Sequence, residues 1–410
     1  MPTIDEQVEI LMSGTGYGDE GTRKMMAREL KERLIEAEKE GRPLRVYCGF
    51  DPTTSDLHLG HTIPMRKLRQ FQELGHDVTF LIGSFTSLIG DPDGKNAREM
   101  LTAEKVQQNA ETYTEQAFKI LDRSKTRVRY NDEWLKDLNF LDVIKIAQNF
   151  TVQQFITREN FRNRIEAETP IYLHEFFYPL MQSYDAVAQD TDVQVGGQDQ
   201  LFNLMAGRQL MSKMNMKPQI VIAMGESLPG TDGVEKMSKS KGNNIPLLTT
   251  PLDFFGKVMS IPDHAMGIYF KLLLGWNKDQ LDTLAKDIAS GAQHPRDVKA
   301  RLGRDLLGVY HPQADPAAVQ AEWDNIFKTS GTGLPEQMDE LTVSAEAKIV
   351  DLLAEAKLVP SKKEARRQIE GGGVRLEGEK VADANQTITP DQLPAVLQVG
   401  KRNFVKLVAG

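Results

Sequence analysis

Short apolar runs alternate with stretches of helical period through the first 225 residues. LRVYCGF at 44–50, DVTFLIG at 77–83, DVQVGG at 192–197 and QIVIAMG at 219–225 read as buried strands, with RVRY at 127–130 as a further strand. Between them lie helical patterns. Residues 1–43 read as polar and helical, with ARELKERLIEAEKE stopping at Gly41 and Pro43. Leu68, Phe71 and Leu74 recur at helical spacing with Gly75 at the end. Further helices are predicted over 103–121, over 134–148 and in QLFNLMAGRQLM. Strands alternating with helices predict an α/β protein built on a doubly wound, mostly parallel sheet.

After about residue 250 the strand signal fades and helical patterns run to about 340. TSGTGLPEQMDE at 329–340 is rich in turn residues and charge and reads as a linker. Structure resumes beyond it. Ser361 and Glu364 form a capping-box pattern that starts a short helix, Gly371, Gly372 and Gly373 stop it, and VRLEGEKV reads as a hairpin.

Composition narrows the class. Of 410 residues 40% are hydrophobic and 26% charged, an ordinary balance for a folded chain rather than a disordered one. The single cysteine, Cys48, excludes an intramolecular disulfide or a thiolate metal cluster. The first residues lack an apolar core, so no signal peptide is read, and no run approaches the ~20 residues of a membrane helix. A cytoplasmic protein is expected. The net charge of −8 argues against coating by nucleic acid. Yet residues 344–410 carry 11 basic and 9 acidic side chains, against 39 and 49 in the rest. That reversal points to an appended module with a different partner.

Two motifs carry phosphate chemistry. DPTTSDLHLGH at 51–61 lies between the first strand and the next helix. Pro64 fits only a helix's first turn, so the helix begins near Gly60 or His61, with His58 and His61 at its amino end. Exposed N–H groups there favour an anion, and Gly60 admits a ligand close to the backbone. The same residues are also compatible with two histidines that merely cap a helix. The second motif is Lys236-Met237-Ser238-Lys239-Ser240 between LPGTDG and KGNN, suited to clamping a triphosphate or a departing pyrophosphate, although a basic loop is more often simply solvated. GDPDGK at 90–95 is no Walker loop: three residues separate its glycines, where four are needed, and Asn96 follows its lysine.

HLGH after a first strand with KMSKS late in the same domain resembles the two signatures of class I aminoacyl-tRNA synthetases. YCGFDPT at 47–53, LIGDPDGK at 88–95, YPLMQSYD at 178–185 and VGGQDQ at 195–200 resemble the bacterial tyrosyl branch, and the tail from about 344 resembles its S-four-like RNA-binding domain. Leu59 replaces the commoner isoleucine of the first signature. The resemblance implies a Rossmann-like catalytic domain over 1–250 with a dimer-interface insertion at about 130–165. A helical tRNA- and anticodon-recognition segment over 251–340 and an α+β RNA-binding domain over 344–410 complete the expected plan.

The implied reaction is attack of a tyrosine carboxylate on the α-phosphate of ATP, then transfer of the tyrosyl group to the 3′-terminal adenosine of tRNA(Tyr). Neither step needs a protein nucleophile. By resemblance, Tyr47 and Asp185 would bond the phenol, while Asp91, Tyr178 and Gln182 would hold the α-ammonium and Gln200 would lie near the carboxylate. Tyr178, Gln182 and Asp185 recur at i, i+4 and i+7, so one helix face can present them, although a surface polar stripe has the same spacing. His58, His61 and Thr53 would contact ATP phosphates, and Lys236, Lys239 and Ser238 the pyrophosphate, with Lys95 and Arg98 as further cations. Cys48, Gly49, Asp51, Gly60, Gly197 and Asp199 would complete the nucleotide site, with Asp199 on the ribose. No cluster has metal-ligand spacing, so magnesium would arrive with ATP. Lys362, Lys363, Arg366, Arg367 and Arg375, with Lys380, would track RNA backbone. A homodimer is expected. The rival readings are a tryptophan-specific relative, a small-molecule nucleotidylyltransferase and an RNA-binding regulator.

Overall fold

The structure, a computed structural model, describes residues 2–92, 100–328, 338–400 and 403–409. Five parallel strands form the central sheet: β1 (Arg45–Phe50), β2 (Asp77–Ile82), β3 (Thr126–Tyr130), β4 (Val193–Gly197) and β5 (Ile220–Met224). Their order is β3-β2-β1-β4-β5. The chain therefore reverses its winding between β1 and β4, where open α/β sheets place ligands beyond the strands' carboxyl ends. Val46, Val78, Phe80, Val193, Val195, Ile220 and Ile222 are fully buried, which is why these strands read as continuous apolar runs rather than alternations.

The strands lie where the pattern put them; the helices depart in detail. Residues 1–43 hold two helices, Ile4–Met12 and Glu20–Glu40, each with its own side-chain N-cap, Thr3 and Asp19. The stretch expected as one helix over 134–148 is broken into Asp132–Leu135 and Phe140–Ala147, because Asn139 caps the second by accepting from the N–H groups of Leu141 and Asp142.

The segment between the first helices pairs antiparallel with the end of the edge strand β5. Gly16 donates to Ala223 O at 2.9 Å, Gly225 to Gly14 O at 2.9 Å, and the Tyr17 hydroxyl to Val221 O at 2.7 Å. A Cβ on Gly16 would fall 2.6 Å from Gly225 Cα, so the approach demands glycine. Buried Lys67 donates to Ile10 O and Ser13 O at the carboxyl end of the Ile4–Met12 helix; burial lowers its pKa to about 8.

The chain forms two compact units. One comprises residues 1–250 and 257–310, the other 251–256 and 311–410. The helices Met266–Leu274, Lys278–Ala289 and Pro295–Tyr310, expected from sequence in a separate segment, belong to the first unit. There the Tyr310 hydroxyl lies 3.0 Å from Thr62 Oγ1, at the start of the helix Thr62–Glu73.

The second unit holds a mixed sheet ordered β6-β12-β11-β8-β9, with β6 at Asp339–Val343, β8 at Val374–Leu376, β9 at Glu379–Lys380, β11 at Ala395–Val399 and β12 at Asn403–Ala409, and a separate antiparallel pair of β7 (Ala347–Lys348) with β10 (Thr387–Ile388). β6 takes in the last residues of the stretch read as linker; residues 329–337 of it lie outside the described residues. The predicted hairpin is present, β8 pairing antiparallel with β9 around Glu377 and Gly378, both at positive φ. Half of the predicted capping box forms: Ser361 Oγ accepts from Glu364 N, whereas the Glu364 carboxylate pairs with Arg367 and Gln368. No helix among the described residues is long and apolar enough to cross a membrane.

Candidate active site

A cleft of about 1540 Å³ opens at the carboxyl ends of β1 and β4. Among the described residues, all those expected on tyrosine or ATP line it: Tyr47, Cys48, Gly49, Asp51, Thr53, His58, Gly60, His61, Asp91, Tyr178, Gln182, Asp185, Gly197, Asp199, Gln200, Lys236, Ser238 and Lys239. Lys95 and Arg98 lie outside the described residues.

At the deep end, Tyr47 on β1 is 1% exposed and its hydroxyl has no hydrogen-bond partner among the described residues. Asp185, on the helix Phe177–Ala188, is also buried. Its carboxylate accepts from Trp134 Nε1 at 2.8 Å and from Asn131 Nδ2 at 3.3 Å. Burial outweighs both hydrogen bonds and pushes this carboxyl up to about 8. Burial, and then the Asp185 charge, raise the Tyr47 phenol well above its ordinary value. An unpartnered hydroxyl beside a desolvated carboxyl is costly, and the cost is relieved by a ligand that donates and accepts at one atom.

One turn away, Tyr178 and Gln182 present the same helix face. The Tyr178 hydroxyl donates to Asp51 Oδ2 at 2.9 Å, and Thr86 Oγ1 donates to Asp51 Oδ1 at 2.8 Å. Asp51, expected on the nucleotide, is thus engaged by Tyr178 and Thr86. A Cβ on Gly83 would fall 1.9 Å from Asp51 Oδ1, so that glycine makes room for the carboxylate. Gln182 Oε1 is buried without a partner among the described residues. Asp91 is held from two sides: Arg158 Nη2 donates to Oδ1 at 3.0 Å and Gln200 Nε2 to Oδ2 at 2.5 Å.

The histidine motif forms a 3₁₀ turn, Leu59–His61, before the α-helix begins at Thr62. His58 N donates to His61 Nδ1 at 3.1 Å and Gly60 N to His58 Nδ1 at 3.2 Å. Both Nδ1 atoms therefore accept, so a neutral ring carries its proton on Nε2. Burial foremost, then the neighbouring ring and lysines, lower His58 to about 2; burial, then Lys236, lower His61 to about 4. Both are neutral donors at physiological pH. Gly60 has little spare room, since a Cβ would lie 3.0 Å from the His58 ring, whereas one on Gly49 would meet only Leu81 at 3.8 Å, leaving that face to a ligand.

The lysine loop is joined to this motif through the backbone, with Leu59 N donating to Ile245 O and Leu247 N to Leu57 O. Buried Met237 anchors it, its N–H bonded to Leu228 O at 2.8 Å, and Ser238 N donates to Asn243 Oδ1. Lys236 reaches Asp199 at 2.9 Å and Lys239 reaches Asp56 at 3.0 Å, one on each rim of the cleft. These ion pairs are half-exposed, a class worth about 0–1 kcal/mol, so an anion displaces them readily. The Cys48 thiol is buried, and burial pushes its pKa up, which makes it inert.

The sequence reading missed Thr86, Asn131, Trp134 and Arg158. Asn131 and Trp134 directly follow β3, a position where open sheets present binding residues. Arg158 had no such signal. In the second unit Ala365 and Ile369 bury one face of the helix Lys362–Glu370, and Lys362, Lys363, Arg366 and Arg367 are exposed on the other. Lys362 pairs with Asp351, Arg367 with Glu364, and Arg375 donates to Gly378 O.

Known proteins share this arrangement. The family model for tRNA synthetases class I (W and Y) matches residues 39–328, and that for the tyrosine–tRNA ligase SYY-like C-terminal domain matches residues 332–407. A Desulfotalea psychrophila protein named tyrosine–tRNA ligase is 43% identical over 100% of this chain and 99% of its own length. One of the same name from Photobacterium profundum is 46% identical over 92% and 94%. Among solved structures, tyrosyl-tRNA synthetase from Archaeoglobus fulgidus complexed with L-tyrosine superposes with a TM-score of 0.60 at 23% identity, covering 78% of this chain and 99% of that one. A C-terminally truncated mitochondrial tyrosyl-tRNA synthetase from Aspergillus nidulans gives 0.62 at 21%, covering 80% and 95%. With a parallel sheet that switches direction at the cleft, both phosphate signatures meeting there and identity sustained along the whole length, the chain belongs to the class I tRNA synthetases of the tryptophan and tyrosine family.

Proposed function

We propose that this chain is a tyrosine–tRNA ligase, making tyrosyl-adenylate and pyrophosphate from tyrosine and ATP and then charging tRNA(Tyr). The observation that carries the choice of amino acid is the pairing of the unpartnered Tyr47 hydroxyl with the buried Asp185 carboxyl. A phenol satisfies both, donating to one and accepting from the other. An indole N–H only donates and leaves Tyr47 orphaned, which disfavours tryptophan. Asp91, Tyr178 and Gln182 take the α-ammonium, and Gln200 lies beside the reacting carboxylate. His58 and His61 donate Nε2–H to the phosphates as negative charge shifts toward the leaving group, with Thr53 and the Gly60 backbone alongside. Lys236 and Lys239 leave Asp199 and Asp56 for pyrophosphate, freeing Asp199 for the ribose. Magnesium enters as the ATP counter-ion, and no described cluster of His, Cys, Asp or Glu offers it a protein cage.

Lys362, Lys363, Arg366, Arg367 and Arg375 form the RNA-tracking edge of a 344–410 domain, so deleting that domain spares adenylation and weakens charging. Exposed Phe140, Leu141, Ile144, Val152 and Ile165 give the 130–165 segment a face suited to a homodimer. The lone, buried thiol fits a cytoplasmic setting. ATP–pyrophosphate exchange with each of the twenty amino acids, without tRNA, tests the reading. Exchange with tyrosine alone supports it, exchange with tryptophan overturns the pocket assignment, and no exchange returns a nucleotidylyltransferase or regulator.

A further inference from the structure

Asp91 needs an explanation that the substrate alone does not supply. It follows Gly90, at φ +75°, in a loop without secondary structure, yet it is only 8% exposed. A carboxylate that must meet an ammonium within a few tenths of an ångström needs a supporting shell. Arg158 supplies one from between the helices Val152–Ile156 and Glu159–Glu166. Its guanidinium lies between the rings of Phe161 and Phe202, 5.6 and 5.5 Å from their centroids, so the plane of the fork is set by packing. From there Nη2 reaches Oδ1 of Asp91 alone, at 3.0 Å.

Single-point contact matters. A bidentate fork would occupy both carboxylate oxygens, whereas here Oδ2 keeps a free lone pair beside the Gln200 amide. The Gln200 amide is itself oriented, because its Oε1 accepts from Asn203 Nδ2 at 3.0 Å. The same short segment ties the next residue too, Asn160 Nδ2 donating to the Pro92 carbonyl. Arg158 also neutralises Asp91 while no substrate is present, which keeps a buried carboxylate tolerable.

We propose that Arg158 is a positioning residue for the amino-acid end of the cleft, aiming Asp91 so that Oδ2 receives the substrate's α-ammonium. The proposal rests on the tyrosine reading above. Calorimetric titration with two fragments of tyrosine tests it: L-tyrosinol, which keeps phenol and ammonium, and 3-(4-hydroxyphenyl)propionate, which lacks the ammonium. R158Q is expected to bind tyrosinol about tenfold more weakly, the scale of one charged hydrogen bond, and to bind the propionate as the unaltered protein does. R158K, which keeps the charge but loses the planar fork, should fall between. Equal loss for both ligands would mark a merely structural role, and unchanged tyrosinol binding in R158Q would refute positioning; either overturns the proposal. D91N separates the layers: if it leaves tyrosinol binding intact, the ammonium assignment itself is wrong. If the unaltered protein binds neither fragment, the tyrosine reading fails first.

Discussion

Replacing Asp185 by Asn should stabilise the empty protein at alkaline pH while abolishing the activity for which the carboxyl is kept. An unfolded Asp titrates at 3.8, and in the folded chain burial lifts Asp185 to about 8. Between those values the folded state holds a proton that the unfolded state has released. Stability contributed at acid pH is therefore lost as pH rises through that window, and is fully lost above it. At 1.36 kcal/mol per unit, about four units amount to on the order of 5 kcal/mol. Asn has no proton to lose, and its carbonyl can still accept from Trp134 Nε1. Urea unfolding of both proteins without ligands is the assay. Relative to acid pH, the advantage of D185N should grow to about 1.5 kcal/mol at pH 5, about 4 at pH 7 and about 5 at pH 9, with no further rise. In parallel, tyrosine-dependent pyrophosphate exchange should fall by about 100-fold, since the phenol loses the carboxyl that faces its hydroxyl. A stability difference independent of pH, or one that shrinks toward pH 9, would refute the argument that desolvation dominates at Asp185.

Tyr47→Phe removes only the unpartnered hydroxyl, so it should narrow discrimination of tyrosine from phenylalanine by about tenfold in competitive exchange assays while raising the unfolding midpoint of the ligand-free protein. Lys239→Ala should lower the exchange rate by about 100-fold with little change in KM for tyrosine, because its partner Asp56 lies on the phosphate rim. With His58 and His61 lowered to about 2 and 4, the exchange rate should show no histidine inflection between pH 5 and 9. Their sign is opposite to that of Asp185: the stability they contribute is present above about 6.5 and is lost as pH falls toward those values, so H61N should resist acid unfolding better than the unaltered chain. Glu175→Gln leaves the Arg164 guanidinium, 2% exposed, without its counter-charge and should cost about 3–5 kcal/mol in urea unfolding.

How much of this was legible in the sequence follows from the range of each interaction. Four of the five strands were readable because a parallel strand buried on both faces is largely apolar, a property that needs no knowledge of its neighbours, whereas the edge strand β3 alternates arginines with β-formers. The phosphate motifs were readable for a similar reason: a histidine at the start of a helix and a lysine in a glycine-rich loop are local arrangements. Tyr178, Gln182 and Asp185 share a helix face by period alone, although which face meets the cleft is not a local property.

What the tertiary structure decided is whatever depends on residues far apart in sequence. The pKa of Asp185 is set by desolvation and by Trp134, 51 positions away. Asp51 was expected on the nucleotide and is instead held by Tyr178, 127 positions on, and by Thr86. Arg158 carries no motif and becomes visible only when its segment folds against Asp91 across 67 positions. The helices of 257–310 join the first unit although their pattern differs from the strands before them, because packing, not composition, assigns a helix to a core. Backbone periodicity and capping act over a few residues and so are written in the chain. Burial and charge pairing exist only once the chain has closed on itself, and they are what turn those residues into a site.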